Sequence, residues 1–143
     1  MPHRSVRSII EHQTPLAASP ETTVAEAAGM MKRGRVGALM VVERGRLAGI
    51  FTERDALFRV IAEGRDPQAT RLADVMTRDC QTIAPDKPLG HALHMMYEGG
   101  FRHVPVVEGG APLGMVSARD ALGGELLDFE AELVKREHLR EIL

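Results

Sequence analysis

The sequence contains an internal repeat with an offset of 65 residues. Residues 49–57 (GIFTERDAL) return as residues 114–122 (GMVSARDAL). The same offset runs without a gap back to Pro20 and Pro85. An internal repeat decides the fold of a chain, because each unit buries its apolar surface against its neighbour. We therefore expect two copies of one structural unit that pack against each other.

Composition limits the classes of protein to which the chain can belong. With 44% hydrophobic residues, 27% charged residues and a formal net charge of -2, it is typical of a folded domain and not of a nucleic-acid-binding protein. The aromatic content of 3% leaves few side chains on which bases could stack. Cys80 is the single cysteine, and no apolar stretch approaches the length of a membrane span. We expect a cytoplasmic protein with no membrane partner.

Apolar periodicity predicts the order strand, helix, strand, strand, helix in both copies. Strands are expected near residues 16–18, 36–42 and 47–51, and again near 80–84, 101–107 and 112–116. Helices are expected from Val24 and Leu89 to left-handed residues at Gly34 and Gly99, and over residues 54–62. Helices on one side of a three-stranded sheet leave its other face apolar. The expected fold is therefore α/β (α+β), with two pseudo-symmetric β-α-β-β-α repeats packed sheet to sheet.

The repeat also predicts how the chain is divided. The first repeat with its lead-in is expected at residues 1–64, the second with a linker and lead-in at 65–124, and an extended C-terminal helix at 125–143. The lead-ins, residues 5–10 and 71–76, are expected to form short turns of helix. Gly123 and Gly124 are expected to interrupt the last helix of the second copy.

The C-terminal segment has an amphipathic helical pattern, with Leu126, Phe129 and Leu133 along one stripe. Such a helix either folds back on its own domain or packs against a partner helix in a dimer. The sequence favours neither arrangement over the other.

A hydroxyl residue and an aspartate stand three residues apart where the last helix of each copy starts, Thr52 with Asp55 and Ser117 with Asp120. This spacing is typical of a capping box, with Asp in place of Glu, that satisfies the free N–H groups of a helix start. The same side chains would also accept hydrogen bonds from a ribose diol, while the helix N-terminus favours a phosphate. The sequence leaves both interpretations open.

Four features together resemble a tandem pair of CBS domains, known as a Bateman module. They are the order of elements, the Gly-h-h-[Ser/Thr]-x-x-Asp motif (h, apolar) that closes each copy, the strand at residues 104–107 (VPVV) and the lead-in at residues 74–77 (DVMT). The resemblance covers nearly the whole chain and is to stand-alone members of the family. It implies two clefts for adenosine-containing ligands such as AMP, ADP, ATP, S-adenosylmethionine or NAD. It also implies a homodimer that regulates a partner protein, which the sequence does not identify.

The resemblance implies which residues contact the ligand. The candidates are Gly37, Ala38, Leu39, Thr52, Arg54 and Asp55 in the first copy, and Arg102, His103, Val104, Pro105, Ser117, Arg119 and Asp120 in the second. Arg54 and Arg119 either donate to a phosphate or are exposed residues that only aid solubility. Leu39 and Val104 are either apolar walls for a base or simply core residues.

The two clefts are expected to differ in affinity. Arg102 and His103 stand where members of the family often contact phosphate or ribose, whereas the first copy has Gly37 and Ala38 in those places. A charge-assisted hydrogen bond is stronger than a bond to the backbone. We therefore expect tighter binding in the cleft built on the second motif, which contains Asp120.

No catalytic constellation can be assembled from the sequence, so we predict no enzymatic activity. His91, His94 and Cys80 are three potential zinc ligands without a defined geometry, and we predict neither a metal site nor a required cofactor. The main alternative to a nucleotide sensor is a structural module with empty clefts. Such a module would mediate oligomerisation through its C-terminal helix.

Overall fold

The computed structural model describes residues 4–142, and the side chains of all of these except 124–128, 141 and 142. The first half contains α1 (Val6–Ile10), β1 (Ala17–Ala18), α2 (Val24–Gly34), β2 (Ala38–Glu43), β3 (Arg46–Thr52) and α3 (Glu53–Asp55), which continues as a π-helix (Ala56–Ile61). The second half contains α4 (Leu72–Val75), α5 (Leu89–Gly99), β4 (His103–Glu108), β5 (Ala111–Ser117), a 3₁₀ helix (Ala118–Leu122) and α6 (Gly123–Ile142). The expected α/β fold of two similar repeats is confirmed.

The sheets of the two repeats differ at the strand that opens each repeat. β1 pairs in parallel with β2, and the backbone N–H of Met40 donates to the carbonyl of Leu16 at 3.0 Å. The strand expected at residues 80–84 is instead a single parallel bridge between Ile83 and β4. Pro105 occupies the position of Met40 in the repeat and has no N–H to donate. The second sheet is therefore the antiparallel pair β4–β5 with one bridged residue beside it.

Each repeat has its own hydrophobic core, but each core takes a helix from the lead-in of the other copy. The core of the first repeat contains Leu72 and Val75 of α4. The core of the second repeat contains Val6 and Ile10 of α1. The proposed boundary after residue 64 therefore divides the sequence and not the two cores.

The crossing segments pass close to a glycine at one position of the repeat. A Cβ atom on Gly49 would stand 2.5 Å from the carbonyl oxygen of Thr77. Thr77 forms two backbone hydrogen bonds with Ile50, at 2.8 and 2.9 Å. In the second repeat the side-chain amide of Gln13 takes this place, because it donates to the carbonyl of Met115 at 2.8 Å and accepts from its N–H at 3.1 Å. Both crossing segments are thus hydrogen-bonded to the strand that precedes the closing motif.

The left-handed residues at the ends of α2 and α5 are not the expected ones. The helices end at Gly34 and Gly99, and the left-handed residues are the next in sequence, Arg35 with φ 55° and Gly100 with φ 71°. Gly99 is needed for a different reason, because a Cβ atom there would overlap the ring of Phe101. The prediction of left-handed conformations at Gly34 and Gly99 was therefore wrong by one residue.

The expected interruption at Gly123 and Gly124 is also corrected. Gly123 has ordinary helical angles, φ -54° and ψ -50°, and α6 begins there directly after the 3₁₀ helix. All described side chains from 129 to 140 are exposed, so this part of α6 does not fold back on the domain. Leu126 lies outside the described side chains, and residue 143 outside the described residues. Within residues 4–142, no helix has both the length and the hydrophobicity that crossing a membrane requires.

The close approach at Gly49 predicts a specific loss of stability. Gly49→Ala should lower the free energy of unfolding by about 1–3 kcal/mol, because the new methyl group meets a backbone carbonyl that cannot rotate away. Gly90→Ala in α5 is the matched control, since a Cβ atom there meets nothing within 4 Å. It should be neutral or gain up to about 1 kcal/mol. Urea unfolding measures both, and equal effects would contradict the close approach.

Candidate functional site

A cavity of about 720 Å³, the larger cavity below, lies between the two repeats at the end of β5. Five segments of the chain line it. They are the residues before β1, the end of α2 with the residues up to the start of β2, Glu53 at the start of α3, the start of β4 with the residue before it, and the end of β5 with the closing motif of the second repeat. The volume is in the range of cavities that hold small-molecule ligands. Residues from both repeats are thus needed to form it.

Asp120 is the carboxylate of the closing motif that lines the larger cavity. Its Oδ2 atom accepts hydrogen bonds from the backbone N–H and the hydroxyl of Ser117, at 2.8 and 3.4 Å. Within the described residues no other hydrogen bond or ion pair reaches this carboxylate, and its side chain is half-buried. The Oδ1 atom therefore remains available to accept a bond from a ligand.

Asp55, the equivalent carboxylate of the first repeat, is fully engaged by the protein. Its Oδ2 atom accepts from the N–H and the hydroxyl of Thr52, at 3.0 and 3.1 Å. Its Oδ1 atom accepts from the hydroxyl of Thr77 at 3.1 Å and lies 3.4 Å from Nε of Arg59. Asp55 is only 6% exposed and lines neither cavity. The capping-box interpretation is therefore sufficient for Asp55.

A smaller cavity of about 420 Å³ lies beside Thr52. It is lined by Ile50, Thr52, Glu53, Arg54, Leu57, Phe58, Phe101, Arg102 and His103. Four of these nine side chains are apolar, namely Ile50, Leu57, Phe58 and Phe101. The Arg54 guanidinium donates to the carbonyl of Gly100 at 3.3 Å. Glu53, Arg102 and His103 line both cavities, so the two cavities share one wall.

The structure separates the sequence candidates into three groups. Gly37, Ala38, Arg102, His103, Ser117, Arg119 and Asp120 line the larger cavity. Thr52 and Arg54 line the smaller cavity, together with the shared Arg102 and His103. Leu39, Val104 and Pro105 are buried and line neither cavity, as is the case for Asp55. Leu39 and Val104 belong to the two hydrophobic cores, so their side chains stabilise the fold.

Two of the candidates, Gly37 and Ala38, line a different cavity from the one that was expected. Gly37 and Ala38 were expected in the cleft of the first motif, but they line the cavity of the second motif with Asp120. The cause is the packing of the repeats, which brings β5 into contact with both β2 and β3. A cleft is therefore built from the start of β2 of one repeat and the closing motif of the other.

Three charged residues of the larger cavity, Lys32, Arg35 and Glu53, were not among the sequence candidates. Lys32 and Arg35 lie at the end of α2, and nothing in the local pattern sets them apart from other exposed cations. The repeat does contain one signal, because Arg35 stands at the position of Gly100. An arginine at a position that takes a left-handed glycine in the other copy is a departure that the alignment of the two copies reveals.

His103 forms the half-buried part of the shared wall. Burial lowers the pKa of its imidazole, while the nearby carboxylates of Glu53 and Asp120 act in the opposite direction and Arg102 and Arg119 lower it further. The ring is therefore neutral at neutral pH and offers one N–H donor and one nitrogen acceptor.

The described residues contain no cluster of three or more His, Cys, Asp or Glu side chains that could hold a metal ion. Burial raises the pKa of the Cys80 thiol, which keeps it protonated at neutral pH.

The profile of the CBS domain matches the chain twice, at residues 6–62 and 72–124. The chain belongs to the CBS-domain family. This match and the structure together confirm the tandem CBS pair that the repeat and its motifs resemble.

Known proteins resemble the chain over most of its length. It is 36% identical over 118 residues to the CBS domain-containing protein CBSX3, mitochondrial, of Arabidopsis thaliana, and this match covers 79% of the chain and 57% of that protein. The CBS domain pair of protein MJ0100, solved with 5′-methylthioadenosine and S-adenosyl-L-methionine, has a TM-score of 0.76 at 26% identity, over 87% of this chain and 99% of that one. The CBS domain protein PAE2072 from Pyrobaculum aerophilum, solved with AMP, has a TM-score of 0.74 over 81% of this chain and 88% of that one. At 24% identity, the latter shares the fold.

The two carboxylates should contribute differently to stability. Asp55→Ala should lower the free energy of unfolding by about 2–4 kcal/mol, because it removes a buried charge and leaves the donors of Thr52, Thr77 and Arg59 without their acceptor. Asp120→Ala should cost about 1 kcal/mol, the usual effect of a lost helix cap. Denaturant unfolding of both variants checks the difference. Equal losses would mean that the extra partners of Asp55 do not stabilise the fold.

Proposed function

We propose that this CBS pair binds an adenosine-containing ligand in the larger cavity and transmits its occupancy to a partner protein. The observation that carries the proposal is Asp120, which lines a cavity of about 720 Å³ and keeps one carboxylate oxygen free of the described protein groups. A ribose diol is a suitable donor for that oxygen. The ligands of the MJ0100 CBS pair, which contain an adenosine unit, support the same assignment.

We propose further that the two cavities are unequal, with tighter binding in the larger one. Ser117, Arg119 and Asp120 would bind the ligand there, together with Arg102 and His103. The aspartate of the first closing motif is absent from the lining of the smaller cavity, because Asp55 is used by the fold. The first cleft would then act mainly as a structural contact between the repeats.

The chain's proposed role is regulatory and not enzymatic, and the ligand acts as a signal instead of a required cofactor. A ligand can change a partner's activity only if it binds two states of this protein with different affinity. The wall shared by the cavities is suited to this, because Glu53, Arg102 and His103 would respond to charge in the larger cavity. The single half-buried Cys80 supports our further proposal of a reducing, cytoplasmic compartment.

A second candidate function is a structural module that mediates assembly. The observation in its favour is α6, whose Phe129, Leu133 and Val134 side chains are exposed in the chain. Leu57 and Phe58 on the π-helix are exposed as well. Apolar side chains on two helices favour contact with another protein chain. Ligand binding distinguishes the two functions, since the structural module requires no ligand.

An adenosine nucleotide should raise the melting temperature of the protein. A ligand that binds only the folded state stabilises it by roughly 2.7 kcal/mol at a hundred times its dissociation constant. Asp120→Ala should reduce this shift, whereas Asp55→Ala should retain it from a lower starting temperature. Thermal unfolding with millimolar AMP, ADP, ATP, NAD and S-adenosylmethionine measures the shift. If none of them moved the wild-type transition, the empty structural module would replace the sensor as the function.

We also expect a homodimer, because the exposed apolar side chains of α6 and of the π-helix require a partner. Light scattering at micromolar concentration measures the mass, and a monomer would contradict the prediction. Deletion of residues 125–143 distinguishes the two surfaces. A dimer that survives the deletion would assign the interface to the repeats, and a monomer would assign it to α6.

A further inference from the structure

The larger cavity has an excess of positive charge. Its lining contains the cations Lys32, Arg35, Arg102 and Arg119, and the carboxylates Glu53 and Asp120. Four positive charges against two negative ones make it formally positive, although the whole chain has a formal net charge of -2. The neutral ring of His103 adds nothing to this charge. A concave site with one sign of charge attracts ligands of the other sign.

These four cations have no charged or hydrogen-bonding side-chain partner among the residues that the structure describes. Within the described part of the chain, arginines elsewhere form ion pairs, such as Arg71 with Glu21 at 2.8 Å and Arg59 with Asp55 at 3.4 Å. No ion pair or side-chain hydrogen bond of the described residues involves the cations of the cavity. Their charges are therefore available to a ligand.

The backbone of Arg35 provides a second observation about the positive charge of the larger cavity. Its backbone is left-handed, with φ 55°, a conformation that disfavours residues with a Cβ atom. The equivalent residue of the second repeat is Gly100, which has φ 71° and suits this conformation. Stability alone would favour glycine at position 35 as well. The arginine at position 35 therefore places a cation on the lining of the larger cavity at some cost in backbone strain.

We propose that the larger cavity selects a ligand with several adjacent anionic groups, namely a nucleoside polyphosphate in preference to a nucleoside or a sulfonium compound. This inference rests on the proposed function for the nucleoside part and adds the chemical class of the rest. Lysine and arginine donate charge-assisted hydrogen bonds to phosphate oxygens. A sulfonium would instead add a positive charge to a cavity that is already positive.

A control for Arg35 exists in the same chain. Arg44, in the turn between β2 and β3, also has a left-handed backbone, with φ 54°, and its repeat equivalent is Gly109, with φ 60°. Arg44 lines neither cavity. Arg35→Gly and Arg44→Gly therefore remove the same charge and the same backbone strain at two places, only one of which is in the cavity.

The test is calorimetric titration at neutral pH of the wild type and both variants with ATP, AMP, 5′-methylthioadenosine, S-adenosylmethionine and inorganic tripolyphosphate. We expect affinity to rise from 5′-methylthioadenosine through AMP to ATP, and the advantage of ATP to shrink as salt is added. Arg35→Gly should lower the affinity for ATP on the order of tenfold and leave the affinity for 5′-methylthioadenosine unchanged. Arg44→Gly should change neither of these affinities. Thermal unfolding should show that both variants are at least as stable as the wild type.

The outcomes separate this inference from the proposed function. Equal or tighter binding of S-adenosylmethionine or 5′-methylthioadenosine relative to ATP would overturn the inference and leave the adenosine sensor standing. Equal ATP affinity of Arg35→Gly and Arg44→Gly would do the same. If tripolyphosphate bound as tightly as ATP and no adenosine compound without phosphate bound, the polyanion site would stand and the adenosine assignment would fail. Absence of binding by every probe would overturn both.

Discussion

The lead-in of each repeat must cross the closing strand of the other, and only a glycine leaves room for it. Gly49 meets the carbonyl of Thr77 at this crossing, so a larger residue would separate the strand from the lead-in. Beyond the crossing, α4 contributes Leu72 to the first core and α1 contributes Val6 to the second. Neither core is complete without a helix from the other copy. The two repeats consequently form one folding unit, although the sequence repeats cleanly.

The same crossing determines which of the two carboxylates keeps an oxygen atom that no described protein group uses. In the first repeat the crossing chain brings the hydroxyl of Thr77 to Asp55, and Arg59 completes the set of partners. In the second repeat the crossing contact is made by the side chain of Gln13, which has no hydroxyl to offer to Asp120. The residue at the position of Arg59 is a glycine in that copy. The carboxylates of two similar motifs therefore have different numbers of protein partners, because their surroundings differ.

The fold was predictable because the offset of 65 residues aligns α2, β2 and β3 of the first copy with α5, β4 and β5 of the second. The exchange of lead-in helices was not, since residues 5–10 and 71–76 have similar patterns and periodicity does not say which core a helix joins. For the same reason Gly37 was assigned to the wrong cleft. The difference between Met40 and Pro105 was visible in the sequence, but its main consequence is a missing backbone donor and a shorter sheet. The sequence thus predicted the local chemistry of each motif, but it did not predict how the two copies pack against each other.

A regulatory ligand must alter the structure beyond its own binding site. In this protein such a change would pass through the wall that the two cavities share. Glu53, Arg102 and His103 line both cavities, so a charge placed on one side acts on side chains that shape the other. On the far side, the smaller cavity is lined by Leu57 and Phe58, which are also exposed on the surface. A second ligand of the same charge would compete for Arg102, the cation that lines both cavities. In our proposal, the fully engaged carboxylate of the first repeat would reduce that competition, because Asp55 is not available to hold a second ligand in the smaller cavity.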